Sequence, residues 1–179
     1  MPASKEKGDE LYLESSRHVT KMTSALFYGN GLIVSALPLW LYWRVQMMDP
    51  ITYAVLFLAV TILSTWFVAY AYKNVKISLK HKISLKREAA VTREVLNGLN
   101  ESAAGKKLNK SDKDERVLWK KNEVADGEAT TFSIFYNNTL YLLVVLLSFY
   151  FWRALHPGVN YILSVAGAGI VLAFLSTGA

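Results

Sequence analysis

The sequence predicts an all-α membrane protein: four transmembrane helices, with a cytosolic helical hairpin between the second and third. Three observations predict it. The chain of 179 residues is 53% hydrophobic, yet outside residues 1–24 and 73–131 its only Asp, Glu, Lys or Arg are Arg44, Asp49 and Arg153. The uncharged stretches are long enough to cross a bilayer, since about 20 apolar residues span roughly 30 Å of hydrocarbon. The remaining charge is lopsided, with fourteen Lys/Arg against nine Asp/Glu in 73–131. A soluble domain would interleave charge with its core positions; this chain segregates the two.

Residues 1–24 form a polar tail with four acids and no short apolar core, unlike a cleavable signal or a transit peptide. The first apolar block therefore reads as a retained anchor. Residues 25–72 make a transmembrane hairpin: "ALFYGNGLIVSALPLWLYW" (25–43), the connector "RVQMMDP", and an uncharged run from Pro50 to Tyr72. Pro38 predicts a kink in the first span, because proline removes a backbone donor. Residues 73–131 form the polar segment, and 132–179 the second transmembrane hairpin. Its first span draws on Ala129 to Trp152, and its last is "GVNYILSVAGAGIVLAFLSTGA" (158–179) beyond the turn "RALHPG". In lipid every backbone group must be satisfied within its segment, which makes the spans helical. Trp40, Tyr42 and Trp43 with Tyr150 and Trp152 mark one interface, and Trp66, Tyr70 and Tyr72 the other.

Orientation follows from the charges. Directly after twenty-two uncharged residues, "KNVKISLKHKISLKR" holds six cations and no acid: Lys73, Lys76, Lys80, Lys82, Lys86 and Arg87. By the positive-inside rule this run is a membrane-proximal stop, and with four spans both termini and 73–131 share the cytosolic side. Anionic lipid would attract these cations at about 1 kcal/mol each.

Neither Gly nor Pro occurs from Ile51 to Asn97, so the second span is expected to continue as one rod until Gly98 and "NESAAG" break it. A return helix, with Ser111 as N-cap and acids in its first turn, would run through "KDERVLWKKNEVAD" and loosen near Gly127. The hairpin tip then carries Lys106, Lys107, Lys110 and Lys113. A rise of about 1.5 Å per residue from Lys73 to Asn97 sets it roughly 35 Å away from the bilayer. That exceeds a Debye length of about 8 Å, so lipid cannot neutralise the tip and a phosphate-rich partner can.

Catalytic chemistry finds little support. There is no Cys, no Gly-rich phosphate loop, no paired-His metal motif, and no Ser/His/Asp arrangement. No catalytic residue, metal or cofactor is therefore expected. The hairpin carboxylates alternate with Lys and Arg as on a solvated surface. No ionisable group lies within the four apolar cores, which argues against a small transporter or channel. The other alternative is a membrane scaffold whose basic loop binds anionic lipid. Within the bilayer, Gly169 and Ala173 lie on a small-residue face suited to close helix packing. Asn30, Asn137, Asn138 and Asn160 offer amides for bonds between helices.

Several stretches are literal matches to a known family. "DERVLWKKNEVADGEATTFSIFYNNTLYL" (114–142), "AYKNVKISLKHK" (71–82), "SALFYGNGLIVSALPLWLYWR" (24–44), "VNYILS" (159–164) and "LSTG" (175–178) resemble, in order and spacing, gamma subunits of the translocon-associated protein complex, also called signal sequence receptor gamma. The resemblance runs from Ser24 to the end. It implies residence in the endoplasmic reticulum membrane beside the Sec protein-conducting channel, and a complex with alpha, beta and delta subunits. It also implies that the cytosolic segment meets ribosomal RNA and protein on the translating ribosome. The implied function is non-catalytic help in co-translational translocation and membrane-protein topogenesis.

Overall fold

With nothing to interrupt it, the second apolar block and the basic run fold as one rod. In the computed structural model, which describes residues 21–101 and 110–178, this helix spans Ala54–Glu101, 48 residues. It is preceded by α1 (Lys21–Arg44) and is therefore α2. Helix α3 spans Lys110–Phe151. The last span is composite: α4 (Pro157–Tyr161), a π-helical turn at Ile162–Ala166, and α5 (Gly167–Thr177). No strand occurs among the described residues, and four helices are long and apolar enough to cross a membrane.

α2 carries through Gly98 and ends at Glu101, within the "NESAAG" stretch where its break was expected, whereas α3 runs through Gly127 without the expected loosening. One Gly inside a helix costs only about 1 kcal/mol relative to Ala. Asp126 and Glu128, on either side of Gly127, are both tied across to α2, which offsets that cost. α1 includes Pro38, whose ring is buried in the bundle. Ser111 lies inside the first turn of α3, which opens at Lys110, and Asp112 supplies the acid favoured there.

The short turns have local causes. The Asp49 side chain accepts from the Thr52 backbone N–H at 3.1 Å and from the Thr52 hydroxyl. Those bonds hold its carboxyl below the ordinary carboxylate range. Asp49-Pro50 thus opens the turn at 50–53 that leads into α2, where the Tyr53 N–H also donates to the Asp49 carbonyl at 3.1 Å. Met47, at φ 54°, is the one described non-glycine residue in the left-handed region and closes the turn. At the other connector His156 Nδ1 accepts from the Gly158 N–H at 3.3 Å, ahead of a Pro157 start.

The described residues fall into two compact units, a hairpin of Lys76–Phe132 and a bundle of 21–75 with 133–178. The bundle core has one cluster around Phe27, Val68, Tyr72, Tyr141 and Leu172, and another around Tyr42, Phe57, Tyr161 and Val165. Tyr42 and Tyr72, at the span ends, are fully buried within the bundle. Trp40, Trp43, Trp66, Tyr70 and Tyr150 do face outward.

The reason is a series of side-chain bonds between helices. Tyr72 bonds Asn138, while Asn30 Nδ2 donates to Tyr72 Oη at 3.0 Å and to Asn138 Oδ1 at 3.3 Å. Ser64 Oγ meets Tyr141 Oη at 2.9 Å, and Thr61 Oγ1 meets Tyr161 Oη at 3.1 Å. Tyr42 Oη donates to Asn160 Oδ1 at 2.9 Å, and Asn160 Nδ2 to the Phe149 carbonyl at 3.3 Å. Asn137 instead bonds its own helix, at the Ser133 carbonyl. Each bond between membrane helices averages about 0.6 kcal/mol, so the set favours one register of the bundle without dominating its stability.

Candidate functional site

The hairpin holds most of the charge, and its inner seam is polar. Lys76, Lys80 and Ser84 follow one another at helical spacing on α2 and are each 3% exposed. Across from them on α3, Ala125 and Ala129 are buried and Asp126 is half-buried. Lys76 Nζ lies 2.9 Å from Asp126 Oδ2, and Lys80 Nζ 3.0 Å from Asp126 Oδ1. One carboxylate therefore holds two buried ammonium groups. Burial by itself would raise the Asp126 carboxyl, but hydrogen bonds from Lys76 and Lys80 outweigh it and hold it below the ordinary range.

Further ion pairs connect the two helices. Arg87 reaches Glu128 Oε1 at 3.0 Å and Lys121 reaches Glu88 Oε1 at 3.3 Å. Glu88 lies farther along α2 than Lys76 and pairs with Lys121, earlier on α3 than Asp126, as in an antiparallel hairpin; Arg87 departs from this order by pairing with Glu128. Among the described residues of the hairpin the buried apolar side chains are Val91, Ala125 and Ala129, so the ion pairs contribute visibly to its cohesion. Exposed pairs such as Arg87–Glu128 contribute under about 1 kcal/mol each; the Asp126 clamp, being desolvated, matters more.

The six predicted cations of the basic run thus separate by environment. Lys76 and Lys80 point into the seam, and Arg87 pairs with Glu128. Lys82 and Lys86 are exposed. Lys73, in the bundle unit, sits over the Tyr28 ring at 5.0 Å, a cation–π contact. Of the tip lysines, Lys106 and Lys107 lie outside the described residues; Lys110 opens α3, and Lys113 is half-buried three residues on.

Asp126 is the residue that sequence reasoning missed, having been grouped with solvated carboxylates. A signal for it existed. Lys76, Lys80 and Ser84 recur at i, i+4, i+8, so they share one face, and a face that packs needs a counter-charge.

Nearer the tip, Trp119 is 65% exposed. An open cleft of about 470 Å³ is lined by Glu94, Val95 and Gly98 of α2 and by Arg116, Trp119 and Lys120 of α3. A second, about 380 Å³, is lined by Asp112, Glu115, Arg116 and Trp119. Among the described residues no group of His, Cys, Asp and Glu is arranged to hold a metal ion.

In the bundle, Gly169 is buried where α5 crosses α2. A Cβ built there would stand 3.2 Å from both Phe67 Cβ and Ser64 Oγ. Ala173 is only half-buried. The predicted small-residue pair therefore divides, Gly169 making the close approach inside the chain's own bundle.

Fold and charge together define a polytopic helical membrane protein whose charged residues are gathered in one helical hairpin. The chain matches the translocon-associated protein, gamma subunit (TRAP-gamma) family over residues 8–178 and belongs to it. It is also similar to the translocon-associated protein subunit gamma of Dictyostelium discoideum, 29% identical over 154 residues that cover 85% of each chain. The family expected from the quoted stretches is thus shown, and it is one of translocon-associated subunits, not an enzyme family.

Proposed function

We propose that this chain is a non-catalytic subunit of an endoplasmic reticulum translocon-associated complex that docks on the translating ribosome through its basic hairpin. In this reading it works with alpha, beta and delta subunits beside the Sec channel, assisting co-translational translocation and membrane-protein topogenesis. Both termini and 73–131 face the cytosol. The observation that carries the reading is the charge of 73–131, fourteen Lys/Arg against nine Asp/Glu, in a chain of this family. The ion pairs supply the refinement. They engage Lys76, Lys80, Arg87 and Lys121 with hairpin carboxylates, whereas Lys82, Lys86, Arg93 and Arg116 are exposed among the described residues; this reading assigns the polyanion contact above all to the tip lysines.

Changing Lys106, Lys107, Lys110 and Lys113 together to Glu is expected to weaken ribosome co-sedimentation at least about tenfold at moderate salt, since each phosphate contact adds to the salt dependence. Insertion and topology should be unchanged. Equal retention of variant and wild type across a salt series would overturn tip docking. Binding to anionic vesicles with none to ribosomes would favour the scaffold alternative.

Orientation has its own test. "NES" at Asn100 and "NKS" at Asn109 have the form of glycosylation acceptors. On the cytosolic side neither carries a glycan. A glycosidase-sensitive mass on either Asn in cells would place 73–131 in the lumen and end the ribosome reading.

A further inference from the structure

We infer that the Trp119 face of the hairpin is a second recognition surface, built for a basic protein segment and chemically distinct from the lysine tip. Trp119 is 65% exposed although it belongs to a packed hairpin, and it lines two open clefts. A large aromatic left open at a cleft is the usual anchor of a protein interface.

The charges around it select the partner. Asp112 and Glu115 line one cleft, and Glu94 lines the other. Arg116 lines both clefts, and the Lys120 ammonium is already engaged by Glu123 at 2.8 Å. In a chain of net charge +6 this is a local reversal of sign. A nucleic-acid backbone brought to Trp119 would set its phosphates against three carboxylates. An Arg or Lys side chain would meet the electron-rich ring face and a carboxylate at once, a cation–π contact reinforced by an ion pair. The occupant is therefore a protein segment presenting Arg or Lys. The surface does not depend on whether the tip binds ribosomes.

The test uses the full chain in detergent micelles, with a labelled oligo-arginine peptide and a labelled oligouridylate as probes followed by fluorescence anisotropy. Trp119→Ala and Glu115→Lys should each weaken oligo-arginine binding about tenfold, while Trp119→Phe, which keeps a ring face, stays near wild type. Oligouridylate binding should not weaken in any of the three, and Glu115→Lys, which replaces a negative charge with a positive one, should strengthen it. Both disruptive changes fall on exposed side chains, and an unaltered thermal transition confirms that the hairpin is intact. Unchanged oligo-arginine affinity in Trp119→Ala would overturn the inference. So would a loss of oligouridylate binding alone, which would make Trp119 a base-stacking platform.

Discussion

Replacing Asp126 with Ala is expected to destabilise the hairpin by on the order of 2–3 kcal/mol, because Lys76 and Lys80 would stay in the seam without their shared carboxylate. Removing one partner of a fully buried pair costs about 3–5 kcal/mol; the lower figure here reflects an Asp126 side chain that is 33% exposed. Amide hydrogen exchange across 76–132 is the measurement, since it reads local opening without requiring two-state unfolding in detergent. Protection should fall by roughly thirty- to a hundred-and-fiftyfold. Glu123→Ala, which removes only the exposed Lys120 pair, should change it by about twofold at most. Equal protection in wild type and Asp126→Ala would show that the clamp holds nothing.

The same clamp has a defined pH response. The folded-state value of Asp126 is depressed, so its contribution is complete above the ordinary carboxylate value of about 3.9 and is lost only as pH falls through the depressed value. Exchange protection, corrected for the intrinsic pH dependence of exchange, should therefore be level from pH 7.5 to 5. Loss within that window would assign the sensitivity to some other group.

Gly169→Leu is expected to be the most damaging single change in the bundle. The first added carbon already stands 3.2 Å from Phe67 Cβ and Ser64 Oγ, and three more must follow. Ser64 Oγ also donates to the Val165 carbonyl at 3.2 Å and bonds Tyr141 Oη at 2.9 Å. Pushing it aside breaks two buried bonds as well as the packing. Overpacking costs about 1–3 kcal/mol, and each lost bond adds about 1. The thermal midpoint in detergent should fall by about 5 °C or more. Ala173→Leu, on a half-buried position, should leave it near wild type. If the two substitutions act alike, the last span has a generally small face and no specific contact at Gly169.

Much of this molecule can be read along one dimension. Four apolar blocks, a segregated charge and the absence of Gly and Pro from Ile51 to Asn97 are enough to place four spans and a long helical rod. Hydropathy and turn chemistry are properties of neighbouring residues, and in a membrane protein they act strongly because an unsatisfied backbone has no water to fall back on. The charge surplus of 73–131 and the family were legible for the same reason: both are carried by contiguous residues.

Partners were not legible in this way. Lys76 and Asp126 are 50 residues apart, and Tyr42 and Asn160 are 118 apart. Whether a lysine in a basic run faces lipid or a carboxylate, and whether a tyrosine near a span end is an anchor or a core residue, depends on what the opposing helix presents. Gly127 reads as a loosening point because propensity is counted locally, yet the contacts that its neighbours Asp126 and Glu128 make across the hairpin outweigh about 1 kcal/mol of local preference. The π turn at Ile162–Ala166 has no mark in its residues; it lies where the Val165 carbonyl accepts from Ser64 of α2. Composition can say which segments enter the membrane and which stay in water. Only the approach of one helix to another settles which face of each is inside, because burial and ion pairing belong to pairs of residues and not to either one alone.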